Sequence, residues 1–256
     1  LSGPGLQLAS DQGKGLHHLV ERFQTEGEVD VISLIVPNAV TIEELRDAEA
    51  RDDRSGWIAS LPAHPMLRLL EIGLEERWYS ASGTPKTLAA SLADHLRTSL
   101  EPLLPIYDVV LIDCPPYLSP LARAALSLAD VFITPTMADG VSTWGTKQFS
   151  EWTTQHISTD FVRRNFVVIT RFRNTRYARQ MENELRRVQL ADRWFGPTIP
   201  ESVQILHAME RAAPDSYNTM RGKYAGVRPD VRRLAESFGE FLTDRMGAPL
   251  RPRIRD

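Results

Sequence analysis

The sequence predicts an α/β fold, a mostly parallel sheet with helices on both faces, and three observations carry that expectation. Val109, Val110, Leu111 and Ile112 form a short, largely β-branched apolar run that Asp113, Cys114, Pro115 and Pro116 close. Such a run is too short for a helix and reads as a strand buried on both faces. The prolines cannot donate to a ladder, so the strand stops at Asp113. Second, the chain continues with a helical stretch from Ser119 to Leu128 and a further apolar run from Val131 to Met137. Third, the run FVVIT at 166–170 repeats the pattern of a fully buried strand. Strand and helix signals in alternation imply a parallel sheet. The stretches 108–112, 131–135 and 166–170 are therefore expected as adjacent or near-adjacent central strands. Asp113 should lie at their shared C-terminal edge, where open α/β sheets bind ligands.

Taken in order, Leu16, Leu19, Val20 and Phe23 recur at helical spacing and predict a short helix over 15–23. His17 and His18 are adjacent, so on a helix they point apart, and both are expected at the surface. The stretch Val29 to Val36 reads as a strand. Thr41 to Ala50 reads as a helix with Glu44 at the capping-box position. The run from Met66 to Trp78 fits a strand or a helix equally well. Leu88, Leu92, Leu96 and Leu100 share one face of a helix predicted over 86–104. Thr143 to His156 is helical, with Asp139 as a candidate cap. Phe161 to Phe172 is expected as a strand, Ala178 to Val188 as a helix and Trp194 to Pro200 as a short last strand. Ile205 to Ala213 and Val231 to Leu242 are helical, and Pro214 to Gly226 is a polar loop. One domain over 1–245 and a basic tail over 246–256 complete the expected organisation.

Composition narrows the function classes. With 256 residues, 42% hydrophobic and 25% charged, the chain can bury a sizeable core. A single cysteine, Cys114, excludes an intrachain disulfide framework and fits a reducing cytoplasm. No apolar run approaches the roughly 18 residues of a spanning helix, and Leu1 to Ser10 lacks the pattern of a signal peptide. Residues 1–159 hold 11 basic and 21 acidic side chains, whereas 160–256 hold 19 basic and 12 acidic. The basic half, with Arg171, Arg173, Arg176 and Arg179 around Tyr177, suggests a surface for a polyanion. Serine-hydrolase and zinc chemistries find no matching motif or ligand spacing.

Gly83-Thr84-Pro85-Lys86-Thr87 imitates a phosphate-binding loop without being one. That loop needs G-x-x-x-x-G-K-[ST], with glycines whose backbone amides wrap the phosphates. Here Pro85 stands where the second glycine belongs and Ser80 where the first does. The stretch is better read as a loop and N-cap feeding the following helix. No such motif occurs anywhere in the sequence.

The succession of strand, Asp113-Cys114-Pro115-Pro116, helix, Ala129-Asp130 and strand resembles the ParA/MinD group of deviant-Walker P-loop ATPases, most closely its chromosome and plasmid partition branch. FVVITRF at 166–172, the run Thr198 to Val203 and a closing helix over 231–242 extend the resemblance, which is convincing over 95–245. It implies a three-layer P-loop fold from which an N-terminal strand–P-loop–helix–strand unit is missing. Truncation and true loss both account for this, and completion of the sheet favours truncation. It also implies ATP and Mg2+ as cofactors, with Asp113 as the Walker B carboxylate holding the metal through water. The lysines of the family's loop have no counterpart, so the 256-residue chain is expected not to hydrolyse ATP.

The same resemblance places Thr170, Arg171 and Pro200 near the nucleotide base. Thr170 stands where the family often has an asparagine, so a two-pronged amide contact to adenine is not expected. Arg176 matches an arginine that partition ATPases use on non-specific DNA, and Arg171, Arg173 and Arg179 join it. A second family arginine corresponds to Gln204. The implied protein is a cytoplasmic, nucleoid-associated ATP-dependent dimer with a ParB-like centromere-binding partner and no membrane. Two other readings are a non-catalytic binding module on a degenerate P-loop scaffold and a MinD-like membrane-site positioning ATPase. The second lacks support, because 240–256 has no long apolar face.

Overall fold

A computed structural model describes residues 13–25, 30–40, 58–188, 196–205 and 228–246. Outside these lie the expected helix over 41–50, the loop over 214–226, nearly all of the helix over 205–213 and, save Met246, the tail over 246–256. The chain divides into two compact units, one comprising 1–42 and 57–129, the other 43–56 and 130–256.

In the first unit, α1 (Leu16–Gln24) buries Leu19 and Val20 as its spacing predicts. Gly15 precedes it at φ 129°, and a Cβ there would meet the Pro62 carbonyl oxygen at 2.9 Å. His17 corrects the sequence expectation, because it is buried, with its ring centroid 4.0 Å from that of His18 and 5.1 Å from that of His64. Burial first, then the two neighbouring imidazoles, push its pKa below the ordinary histidine value. The strand expected over 29–36 is also corrected. Asp30 accepts a hydrogen bond from the Ile32 amide at 3.0 Å and caps a single helical turn, α2 (Val31–Leu34). Only then does β1 (Val36–Val40) begin, antiparallel to β2 (Ile58–Ser60).

The ambiguous stretch after Met66 is a helix, α3 (Leu67–Ser80), and α4 (Pro85–Leu100) follows. Thr84 accepts from the Thr87 amide at 3.2 Å, and the Thr87 hydroxyl accepts from the Thr84 amide at 2.9 Å, a reciprocal cap. Gly83 packs against the Trp78 indole so closely that a Cβ would lie 2.0 Å from the ring. The P-loop look-alike is thus a helix start. Leu88, Leu92 and Leu96 of α4 join Leu19, Val20, Val31 and Leu74 in one core, with Leu100 packed against it. The helix α5 (Pro120–Leu128), capped by Ser119, adds Ala124.

The strand expected at 108–112 does not form. Among the described residues no strand pairs with it, and Val110, Leu111 and Ile112 are exposed, Leu111 by 74%. The reason is that β-branched residues favour a strand only where a neighbouring strand supplies the ladder and a packed face. Asp113 accordingly lies in a segment without regular structure instead of at a strand end.

The second unit contains the parallel sheet. Strand β3 (Phe132–Thr136) pairs in register with β4 (Asn165–Ile169), from Phe132 opposite Asn165 to Thr136 opposite Ile169. Between them run α6 (Gly140–His156), capped by Asp139, and the single turn α7 (Phe161–Arg164). The expected strand over 161–172 is therefore shorter, because its first four residues turn as α7. Strand β4 is buried throughout, and its two faces meet different helices. Ile169 packs with Ala178 and Leu185 of α8 (Arg176–Val188). Phe166 and Val168 pack with Ile199 and with Leu234, Phe238 and Phe241 of α9 (Arg228–Met246). This is the expected α/β arrangement, a parallel sheet with helices on both faces.

Candidate functional site

In the first unit the site centres on Asp113. The chain leaves α4 through a short 3-10 turn (Glu101–Leu103), and the Tyr107 amide donates to the Leu103 carbonyl at 2.9 Å. Further on, the Tyr117 ring lies 5.1 Å from the Arg68 guanidinium carbon. The Arg123 Nε donates to the Leu118 carbonyl at 3.1 Å. The Ser119 hydroxyl accepts from the Ala122 amide at 3.1 Å and donates to Glu71 Oε1 at 2.6 Å. Between these fixed points Asp113 is exposed and forms no ion pair among the described residues. Its carboxylate is open to solvent. Beside it the exposed Cys114 has its thiol pushed up, first by packing around the sulfur and then by the Asp113 carboxylate. A raised thiol pKa disfavours a nucleophilic role. Among the described residues no group of three or more His, Cys, Asp or Glu side chains is placed to hold a metal.

In the second unit the polar residues gather at the C-terminal ends of β3 and β4. Thr170 donates through both its amide, at 2.8 Å, and its hydroxyl, at 3.3 Å, to the Thr136 carbonyl. That hydroxyl is engaged with the sheet. Asp139 accepts from the Ser142 amide and hydroxyl, each at 2.8 Å, confirming the cap. After Thr170 the chain turns sharply, with Arg171 at φ 51°, and runs beside the segment that ends in Pro200. The Ile199 amide donates to Ile169 at 2.8 Å, the Phe172 amide to Ile199 at 3.0 Å and the Glu201 amide to Phe172 at 3.1 Å. This zipper places Glu201 between two of the four arginines.

Arg171 Nη2 lies 3.2 Å from Glu201 Oε1, and Arg173 Nε bonds its other oxygen. Hydrogen bonds and charge from Arg173 and Arg171 hold the Glu201 carboxyl below the usual range, and the Arg173 guanidinium is pushed up in return. Arg179 Nε donates to Asn174 Oδ1 at 2.7 Å. Arg176 is exposed and forms no ion pair among the described residues. Tyr177 accepts from the Gly140 amide at 3.2 Å through its hydroxyl. The four arginines therefore share one surface stretch, but two are drawn to a carboxylate that the sequence reading passed over. Glu201 was visible in the Thr198 to Val203 run, yet only the strand pairing reveals which cations it meets.

If this stretch contacts phosphates, Glu201→Gln in the ATP-bound dimer of a chain carrying a P-loop unit should raise affinity for duplex DNA by releasing two guanidiniums. Each new phosphate contact adds about 0.9 to the salt slope of log K. A titration at several salt concentrations reads both effects, and an unchanged slope would show that Arg171 and Arg173 face away from the polyanion.

A family of AAA domains matches residues 21–166, which is 146 of the 256 residues and includes the whole Asp113 segment. The chain belongs to this ParA/MinD-like P-loop family. The ATP complex of a single-residue variant of Cyanothece McdA is similar in structure, with a TM-score of 0.56 and 16% identity. The match covers 93% of this chain and 77% of that one. At that identity the likeness shows the fold, and the fold agrees with the parallel sheet described above. Apo McdA matches at a TM-score of 0.49 and 17% identity, over 85% of this chain and 77% of the other. No curated protein matches the sequence. No helix among the described residues is long and apolar enough to cross a membrane.

Proposed function

We propose that this family member is a ParA-like partition ATPase, an ATP-dependent dimer switch that binds DNA without sequence preference during plasmid or chromosome segregation. The observation that carries the reading is the family match through the Asp113 segment. In this reading the exposed Asp113 carboxylate of the first unit would orient magnesium through water. The similarity to an McdA–ATP complex supports ATP as the ligand class. In this reading a centromere-binding, ParB-like partner stimulates the switch, and the protein associates with the nucleoid in the cytoplasm.

Phosphate contact by Arg176 is the sharpest test of the DNA part. Arg176→Ala should weaken binding equally on unrelated duplexes and lower the salt slope by roughly one. The measurement needs the ATP-bound dimer, and so a chain carrying a P-loop unit upstream. A variant that binds as tightly as its parent, with the same slope, removes Arg176 from the contact surface. A second reading, a binding module without catalysis, draws on the absence of G-x-x-x-x-G-K-[ST] from the sequence. DNA binding that responds to MgATP favours the switch, and binding indifferent to nucleotide favours the module.

A further inference from the structure

Glu71 is the one Asp or Glu side chain buried in the core among the described residues, with 4% of the residue exposed. Burying a carboxylate is costly unless donors surround it, and a leucine of similar volume would pack there without that cost. The carboxylate must therefore do something an apolar side chain cannot. Its partners show what that is. Oε1 accepts the Ser119 hydroxyl at 2.6 Å, and Oε2 lies 3.4 Å from Arg68 Nη1. Both partners lead to the same place. Ser119 caps α5 immediately after the Asp113–Leu118 stretch, and Arg68 sits over the ring of Tyr117. By donating its proton to Glu71, the Ser119 hydroxyl keeps its lone pairs aimed at the Ala122 amide.

We propose that Glu71 is a positioning residue for the Asp113 segment, which it fixes from α3 through Ser119 and through the Arg68–Tyr117 contact. The inference rests on Asp113 being the functional carboxylate of the nucleotide reading. The geometry explains how so open a segment keeps a defined exit. From 108 to 116 it has no regular structure, and its ends are fixed, Tyr107 by Leu103 and Tyr117–Ser119 by α3 and Arg123. Glu71 supplies the charge at the second end.

The Ser119 amide donates to the Tyr117 carbonyl at 3.1 Å, so its hydrogen-exchange rate, corrected for the intrinsic rate of each sequence, reports on the exit of the segment. In the 256-residue chain without nucleotide, Glu71→Gln and Ser119→Ala should each speed exchange of the residue-119 amide at fixed pH. The expected rise is roughly ten-fold, the shift in an equilibrium that follows loss of one charge-assisted hydrogen bond. Ser119→Thr keeps the hydroxyl and should keep the parental rate, whereas loss of packing alone would not be rescued. The double variant Glu71→Gln with Ser119→Ala should be no faster than the faster single one, because both remove the same link. Glu75→Gln, which also removes a carboxylate near Arg68 but a half-buried one that does not reach Ser119, should leave the rate unchanged. Circular dichroism establishes that each variant is folded, and if Glu71→Gln does not fold the Ala and Thr variants of Ser119 decide. A parental rate in folded Glu71→Gln or Ser119→Ala, or an equal rise in Glu75→Gln, would overturn the proposal. Because no nucleotide is present, failure of the ATP reading leaves this result intact.

Discussion

Phe161→Ala should lower the stability of the chain by about 3–5 kcal/mol, the usual cost of emptying a buried phenylalanine site. Phe161 has 0% of its surface exposed. Its ring centroid lies 4.6 Å from that of Phe132 on β3 and 5.7 Å from that of Phe149 on α6, the latter edge-on at 81°. Arg164 covers the other side of the cluster, its guanidinium carbon 5.0 Å from the Phe132 ring centroid. The cavity left by alanine would thus be walled by aromatic rings and secondary structure that cannot easily collapse into it. Against a typical domain stability of about 5–15 kcal/mol, the loss is large. Phe161→Leu keeps most of the volume and should cost less than about 2 kcal/mol. Urea unfolding followed by tryptophan fluorescence measures both. A loss below about 1 kcal/mol for the alanine variant would contradict this packing.

On the nucleotide reading, Asp113→Ala should abolish magnesium-dependent ATP hydrolysis in a chain supplied with a P-loop unit upstream. The parent of that pair should turn over slowly. The chemistry asks for two things from different places: phosphate-wrapping amides with a lysine, and a carboxylate that orients the metal's waters. The second is present as Asp113, exposed and unencumbered by an ion pair among the described residues. The first has no matching motif in these 256 residues, so the chain as it stands should show no measurable turnover. A phosphate-release assay on the three proteins decides the matter. Robust hydrolysis by the 256-residue chain would place the phosphate site elsewhere, and full activity in the Asp113→Ala protein would remove Asp113 from the metal.

Local chemistry was legible in the sequence wherever the deciding partner lay within a few residues. The Thr84 cap, the Asp139 cap, the leucine face of α4 and the helix after Ser119 follow from periodicity and from side chains that reach their own backbone. So does the rejection of Gly83–Thr87 as a phosphate loop, since proline cannot supply the amide that loop requires. The pairing of 132–136 with 165–169 was also anticipated, because a run apolar on both faces needs neighbours on both.

Tertiary structure alone decided the rest. The apolar content of Val109 to Ile112 made a strand attractive, yet a strand exists only where a ladder partner stands beside it, and among the described residues none does. His17 became a buried imidazole because Pro62 and His64, some 45 residues on, close over the start of α1. Glu201 claimed two of the four arginines, and Glu71 claimed Ser119 across 48 residues. A sequence displays which groups carry charge and which face of a helix is apolar. Which distant carboxylate neutralises which cation, and which hydroxyl a buried acid holds, is settled only when the chain has folded and desolvation leaves each polar group to find a partner.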